Sequence, residues 1–244
     1  KFEKAYPDRT FDVGIAEQHA TTAAAGMAFA GLHPVVAVYS TFLNRAFDQL
    51  LLAVALHKAG VTFVLDRAGV TGDDGPSHNG MWDLALTGIV PTLHVAAPRD
   101  GQRLKETLRE ALDISDAPSL IRFPKGVINP DIPAFERRDG IDVLYRGESA
   151  DVLLVSVGAF ASIAVESAAQ AYREGVGVTV IDPRWVKPLP KALITMAQRY
   201  KNVVVLEDGI KHGGIASTIS ELLREEQLNI PVHSIGLPLS FLEH

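Results

Sequence analysis

Short runs rich in β-branched residues alternate with longer segments of helical period along the whole chain, and no other feature of the sequence limits the fold so tightly. Alternation of this kind builds βα units, whose strands lie parallel in a sheet covered by helices. The expected class is α/β with mainly parallel sheets. Candidate strands are "PVVAVYS" (34–40), "VTFVLDRA" (61–68), "TLHVAAP" (92–98) and "PSLIRFP" (118–124), with helical patterns over 14–30, 41–59 and 101–112. Over 127–147, "VINPDIPAFERRDGIDVLYRG", prolines and charges break every period, as in a connector or exposed excursion. A second, smaller series follows, with strands at 151–158, 176–182, 202–208 and 231–237 and helices at 159–174, 192–200 and 214–227. The expected organisation is therefore two consecutive α/β units, 1–128 and 148–244, around a connector at 129–147. The second series stops on a strand, so its last helix is expected to be missing.

Composition narrows the function classes. With 47% hydrophobic residues in 244, the chain can bury a large core. Its net charge is −6, with lysine and arginine scattered and not striped, which argues against nucleic acid as a partner. There is no cysteine, hence no disulfide framework and no thiolate chemistry, and a reducing cytoplasm is the expected setting. The densest aliphatic run, "LLLAVAL" (50–56), is far too short to span a bilayer, so no membrane partner is expected. The eight histidines show no His-x-x-x-His pair or comparable spacing, and metal ligation within this chain is not expected.

The common phosphate signatures are absent. There is no GxxxxGK[ST], and "GVGVTV" runs into a strand and not a helix. "TGDDGPSHNG" (71–80) packs two acids and a histidine into a glycine-rich loop after a strand, the place where α/β proteins put ligands, although a plain surface turn explains it equally well. As a calcium loop it fails on spacing. Tyr39, Phe42 and Arg45 follow the first strand, Arg67 ends the second, Asp74 and His78 lie in the next loop, and Lys125 follows "LIRFP". The carboxyl ends of parallel strands share one rim, so these residues can converge on one crevice. Glu17 opens the small, apolar helix "EQHATTAAAGMAFAG", either as a first-turn charge against the helix dipole or as a group aimed at a ligand.

"DVGIAEQHA", "YSTFLNRAFDQ", "DRAGVTGDDGPSHNG", "RFPKG", "IDPRWVKPLP" and "LEDG…GGIAS" occur in the order and spacing of one group. Over essentially its full length the chain resembles the last two domains of the 1-deoxy-D-xylulose 5-phosphate synthase family, in the thiamine-diphosphate-dependent transketolase superfamily. The resemblance implies a pyrimidine-binding domain followed by a transketolase C-terminal domain. It implies that Glu17 hydrogen-bonds the cofactor's aminopyrimidine ring and favours the tautomer that deprotonates the thiazolium, and that Phe42 packs on the pyrimidine. Tyr39, Arg45, Arg67 and Lys125 match the group holding the acceptor substrate, and Asp74 and His78 match residues that assist proton transfer at the reacting centre.

The implied reaction condenses pyruvate with D-glyceraldehyde 3-phosphate, losing carbon dioxide, as the entry to non-mevalonate isoprenoid synthesis and a supply to thiamine and pyridoxal synthesis. The implied partners are an N-terminal domain, which carries the magnesium and diphosphate ligands, and a second copy in a homodimer. Two departures stand out. Lys125 replaces the family's usual arginine, giving a point charge in place of a bidentate fork. "GDDG" (72–75) only imitates the diphosphate motif, because no asparagine follows at the required distance. Two other readings stay open here: a beta subunit of a 2-oxoacid dehydrogenase decarboxylase, and a non-catalytic α/β module.

Overall fold

The computed structural model describes residues 2–243. The chain opens with a single turn, α1 (Phe2–Ala5), a 3-10 turn at Pro7–Arg9 and an exposed irregular stretch before α2 (Glu17–Phe29). There follow β1 (Val35–Tyr39), β2 (Thr62–Asp66), α3 (Asp83–Gly88), β3 (His94–Ala96), α4 (Gly101–Leu112) and β4 (Ser119–Arg122). The remainder comprises β5 (Glu136–Arg138), β6 (Ile141–Tyr145), β7 (Val152–Ser156), α5 (Ala161–Arg173), β8 (Val178–Asp182), β9 (Trp185–Lys187), α6 (Ala192–Ala197), β10 (Asn202–Ile210), α7 (Ile215–Glu225) and β11 (Val232–Leu237).

Two mixed, mostly parallel sheets result. The first runs β1-β2-β4-β3-β9 and the second β11-β10-β7-β8-β6-β5. Strands of this kind are covered on both faces and read as continuous apolar runs, which is how Phe63 and Leu65 of β2, Leu120 and Ile121 of β4, and Leu153 and Val155 of β7 come to be fully buried. Each such side chain contributes about 1.5–3 kcal/mol by leaving water. Helix α4 starts where it does because Asp100 caps it, accepting from the Arg103 amide at 2.8 Å.

Two local expectations need correction, and one pairing was not anticipated. The 129–147 connector holds a hairpin, since β5 and β6 pair antiparallel and β6 pairs antiparallel with β8, adding two strands to the second sheet. Ile141 and Val143 are buried in that pairing, an apolar alternation too short to stand out beside the charges around it. The helix expected over 41–59 is not one α-helix: a 3-10 segment at Ser40–Ala46 widens into a π-helix at Gln49–Ala55. Its apolar positions Leu43, Leu50 and Val54 are still buried, so packing holds the segment although the hydrogen-bond ladder is irregular. Strand β9, from the second half of the chain, pairs antiparallel with β3 and so completes the first sheet.

A rim site at the ends of three parallel strands

Strands β1, β2 and β4 lie side by side in parallel, with Tyr39 opposite Asp66 and Leu65 opposite Arg122. Whatever follows these strands gathers on one edge of the sheet. Arg67 is the first residue beyond β2, and its left-handed backbone (φ 61) turns its side chain along the rim. Asp66 holds it there, accepting from the Arg67 amide at 2.7 Å and from its Nη1 at 2.5 Å. The Arg67 guanidinium lies 3.9 Å from the centre of the Tyr39 ring, a cation–π contact, and its Nε donates to Asp74 Oδ2 at 3.3 Å.

The eight candidate residues form one unbroken set of contacts. Tyr39 stacks on Phe42 with ring centres 5.5 Å apart and planes 16° from parallel, and Phe42 meets the His78 ring edge-on at 5.5 Å. Arg45 lies 4.8 Å from the Phe42 ring centre and places Nη1 3.5 Å from Glu17 Oε2. The Glu17 side chain is 12% exposed, at the first turn of α2, where the helix dipole favours an anion. On the other flank Lys125 Nζ donates to Asp74 Oδ1 at 2.8 Å. His78 shares a hydrogen bond with Ser77 Oγ at 3.0 Å, and Thr41 donates to the Ser77 carbonyl.

Asp74 therefore stands between two cations. The hydrogen bond from Lys125 leads the causes that hold its carboxyl below the usual carboxylate range, and the same bond raises the Lys125 ammonium above its ordinary value. Beside the pair opens a cavity of about 390 Å³, lined by Arg67, Lys125, Asn129, Phe123, Ile128 and, from the second unit, Ala159. Among the described residues no group of three His, Cys, Asp or Glu is arranged to hold a metal ion. The aromatic platform and the shielded first-turn carboxylate suit a flat, hydrogen-bonding heterocycle, and the cationic flank suits a phosphate.

A layer the sequence reading missed lies directly beneath. Arg122, at the end of β4, is fully buried and donates to Asp83 at 2.8 and 3.3 Å and to Asp208 of β10. Ser40 donates to Asp83 at 3.0 Å and to the Gly80 carbonyl at 3.1 Å. Burial pushes the Asp83 carboxyl up, with Arg122 opposing that shift. The available signal was an arginine inside the apolar run "SLIRF", because a charge in a buried strand requires a buried partner.

Comparison with known proteins supplies the lineage. The transketolase pyrimidine-binding domain family matches residues 1–130, and the transketolase C-terminal domain family matches 142–244. The chain belongs to the transketolase family. The 1-deoxy-D-xylulose-5-phosphate synthase of Mycobacterium sp. (strain KMS) is 60% identical over all of this chain, which covers 39% of that protein. For the protein of the same description from Mycobacteroides abscessus the figures are 58%, all of this chain and 38%. The chain thus spans about two fifths of the length of these curated relatives. Among solved structures, a split-gene transketolase described as an inactive beta4 tetramer superposes with a TM-score of 0.88 at 31% identity, covering 100% of this chain and 79% of that one. A transketolase from Campylobacter jejuni shares the fold at a TM-score of 0.76 and 21% identity, covering 96% and 35%. Among the described residues no helix is long and apolar enough to cross a membrane.

Proposed function

We propose that this chain supplies the pyrimidine half of a thiamine-diphosphate site and the acceptor clamp of a 1-deoxy-D-xylulose 5-phosphate synthase. The reaction joins pyruvate to D-glyceraldehyde 3-phosphate and releases carbon dioxide. The observation that carries this reading is the continuity of the rim: a shielded carboxylate, an aromatic platform and two cations sharing one aspartate sit in direct contact in sequence. Relatives at 58–60% identity bear that enzyme's description.

In this reading Glu17 holds a hydrogen bond to a ring nitrogen of the pyrimidine, and Phe42 packs on the ring face. Bound thiamine diphosphate supplies the electron sink that allows a 2-oxoacid to lose carbon dioxide. Arg67 and Lys125 bind the acceptor's phosphate, with Tyr39 and Arg45 fixing its approach. Asp74 keeps both cations aimed at one point, and with His78 it holds or moves protons on the acceptor side. The magnesium and diphosphate ligands belong to an N-terminal domain of the same protein, because "GDDG" lacks the asparagine that the diphosphate motif requires and its Asp74 is already paired with Arg67 and Lys125. A second copy completes the site by covering exposed apolar side chains such as Phe11, Ile15, Phe29 and Leu56.

The test offers the full-length enzyme pyruvate with either D-glyceraldehyde 3-phosphate or a lipoyl domain. Formation of 1-deoxy-D-xylulose 5-phosphate supports the proposal. Acyl transfer to the lipoyl domain alone points to the dehydrogenase-type beta subunit instead, and inactivity with both points to a non-catalytic module.

A further inference from the structure

Asp208 belongs to β10 in the second unit, yet its carboxylate lies under the site of the first. Gly69, two residues beyond Arg67, adopts φ 74, and a β-carbon on it would stand 2.9 Å from Asp208 Oδ2. The turn that carries Arg67 thus rests on this carboxylate. The other face of Asp208 meets Arg122, and three residues beyond Arg122 the chain presents Lys125. Two further links bind the halves of the clamp to this base. The Ala68 amide donates to the Phe123 carbonyl at 3.0 Å, joining the Arg67 turn to the segment leading to Lys125. Ser40, bonded to Asp83, also fixes Gly80, where a β-carbon would come within 2.2 Å of the Arg67 carbonyl oxygen.

We propose that Asp208 is a positioning residue: through Gly69 and Arg122 it sets where Arg67 and Lys125 present their charges, so the second unit tunes acceptor affinity without touching the acceptor. This inference rests on the function proposed above. Its physical basis is that a guanidinium displaced by a fraction of an ångström loses much of its grip on a phosphate, whereas steps that do not use the clamp are unaffected. Asp208→Asn removes a charge and nearly keeps the shape; Arg122 then remains paired one to one with Asp83, so the buried guanidinium is not left without a carboxylate. Asp208→Ala also removes the support under Gly69.

The experiment measures the Michaelis constants of D-glyceraldehyde 3-phosphate and of pyruvate, and hydrogen exchange at the thiazolium carbon, in the full-length holoenzyme with each variant. For Asp208→Ala the acceptor constant should rise roughly tenfold, while the pyruvate constant and the exchange rate hold. For Asp208→Asn the rise should be about two- to threefold and equally selective. If the alanine variant does not fold, the asparagine variant decides by that selective rise. Equal changes in both constants and in exchange, or an unchanged acceptor constant in the folded variants, would overturn the proposal by reducing Asp208 to a stability role or to none. Failure of the unsubstituted enzyme to make product from the two substrates would overturn the parent function, and this inference with it.

Discussion

Lys125 and Arg67 are held by the same carboxylate, so under the proposed function neither has to search for its place when an anionic acceptor arrives. A charge-assisted hydrogen bond contributes about 1.5–3 kcal/mol. Lys125→Ala should therefore raise the Michaelis constant of D-glyceraldehyde 3-phosphate on the order of tenfold to a hundredfold and leave that of pyruvate nearly unchanged. Lys125→Arg should be tolerated, since a guanidinium binds phosphate at least as well. Steady-state kinetics with each substrate varied in turn checks both. The pH behaviour follows from the same pair. Asp74, with its pKa lowered, contributes stability above the ordinary carboxylate range and loses it as pH falls through its folded value; Lys125, raised, contributes below the ordinary lysine range and loses it as pH rises through its folded value. Between about 4 and 10 the clamp stays charged. Acceptor affinity should then improve from pH 5 to 7 as the phosphate takes its second charge, near 6, with no contribution from Asp74 or Lys125, and a profile centred at 8 or above would reassign the titrating group.

The elements around the clamp are shaped by close approach as much as by pattern. Gly80 lies against the Arg67 carbonyl and the Ser40 side chain, where a β-carbon would stand 2.2 and 2.6 Å away. Gly80→Ala must displace backbone, so it should cost ~1–3 kcal/mol and weaken the acceptor with it, measurable by chemical unfolding and by the acceptor constant together. This approach also shows what the sequence could and could not reveal. The strands ending at Tyr39, Asp66 and Arg122 were legible because their apolar runs are continuous, and the rim residues followed from strand ends sharing one edge. The hairpin β5–β6 was not legible: its three-residue first strand, "ERR", is charged, and its partner is fixed only by pairing with β8. Nor was the 3-10 to π progression over 40–55, since both ladders leave nearly the same residues apolar. Glu17 stayed ambiguous, because a first-turn glutamate has the same sequence signature whether it answers a dipole or a ligand, as did the "TGDDGPSHNG" loop, which reads equally well as a surface turn.

Across the whole molecule, the two units are joined by more than a linker. β9 completes the first sheet, the Ile210 amide donates to the Met81 carbonyl at 3.0 Å, and Arg122 reaches Asp208 through a buried ion pair. Lys187, at the end of β9, donates to the Thr87, Gly88 and Val90 carbonyls at 2.9, 2.7 and 2.5 Å, satisfying the C-terminal end of α3. Lys187→Ala leaves those acceptors without their donor and should cost ~2 kcal/mol, lowering the melting temperature by about 4–8 °C in calorimetry.

The central claim is that Glu17 belongs to a cofactor site and is not merely settled on a helix dipole, and hydrogen exchange at the thiazolium carbon of the full-length holoenzyme tests it most directly. Glu17→Ala should leave the fold intact and slow exchange by roughly two to four orders of magnitude, the scale of losing a proton-transfer partner; an exchange rate equal to that of the unsubstituted enzyme would contradict the account.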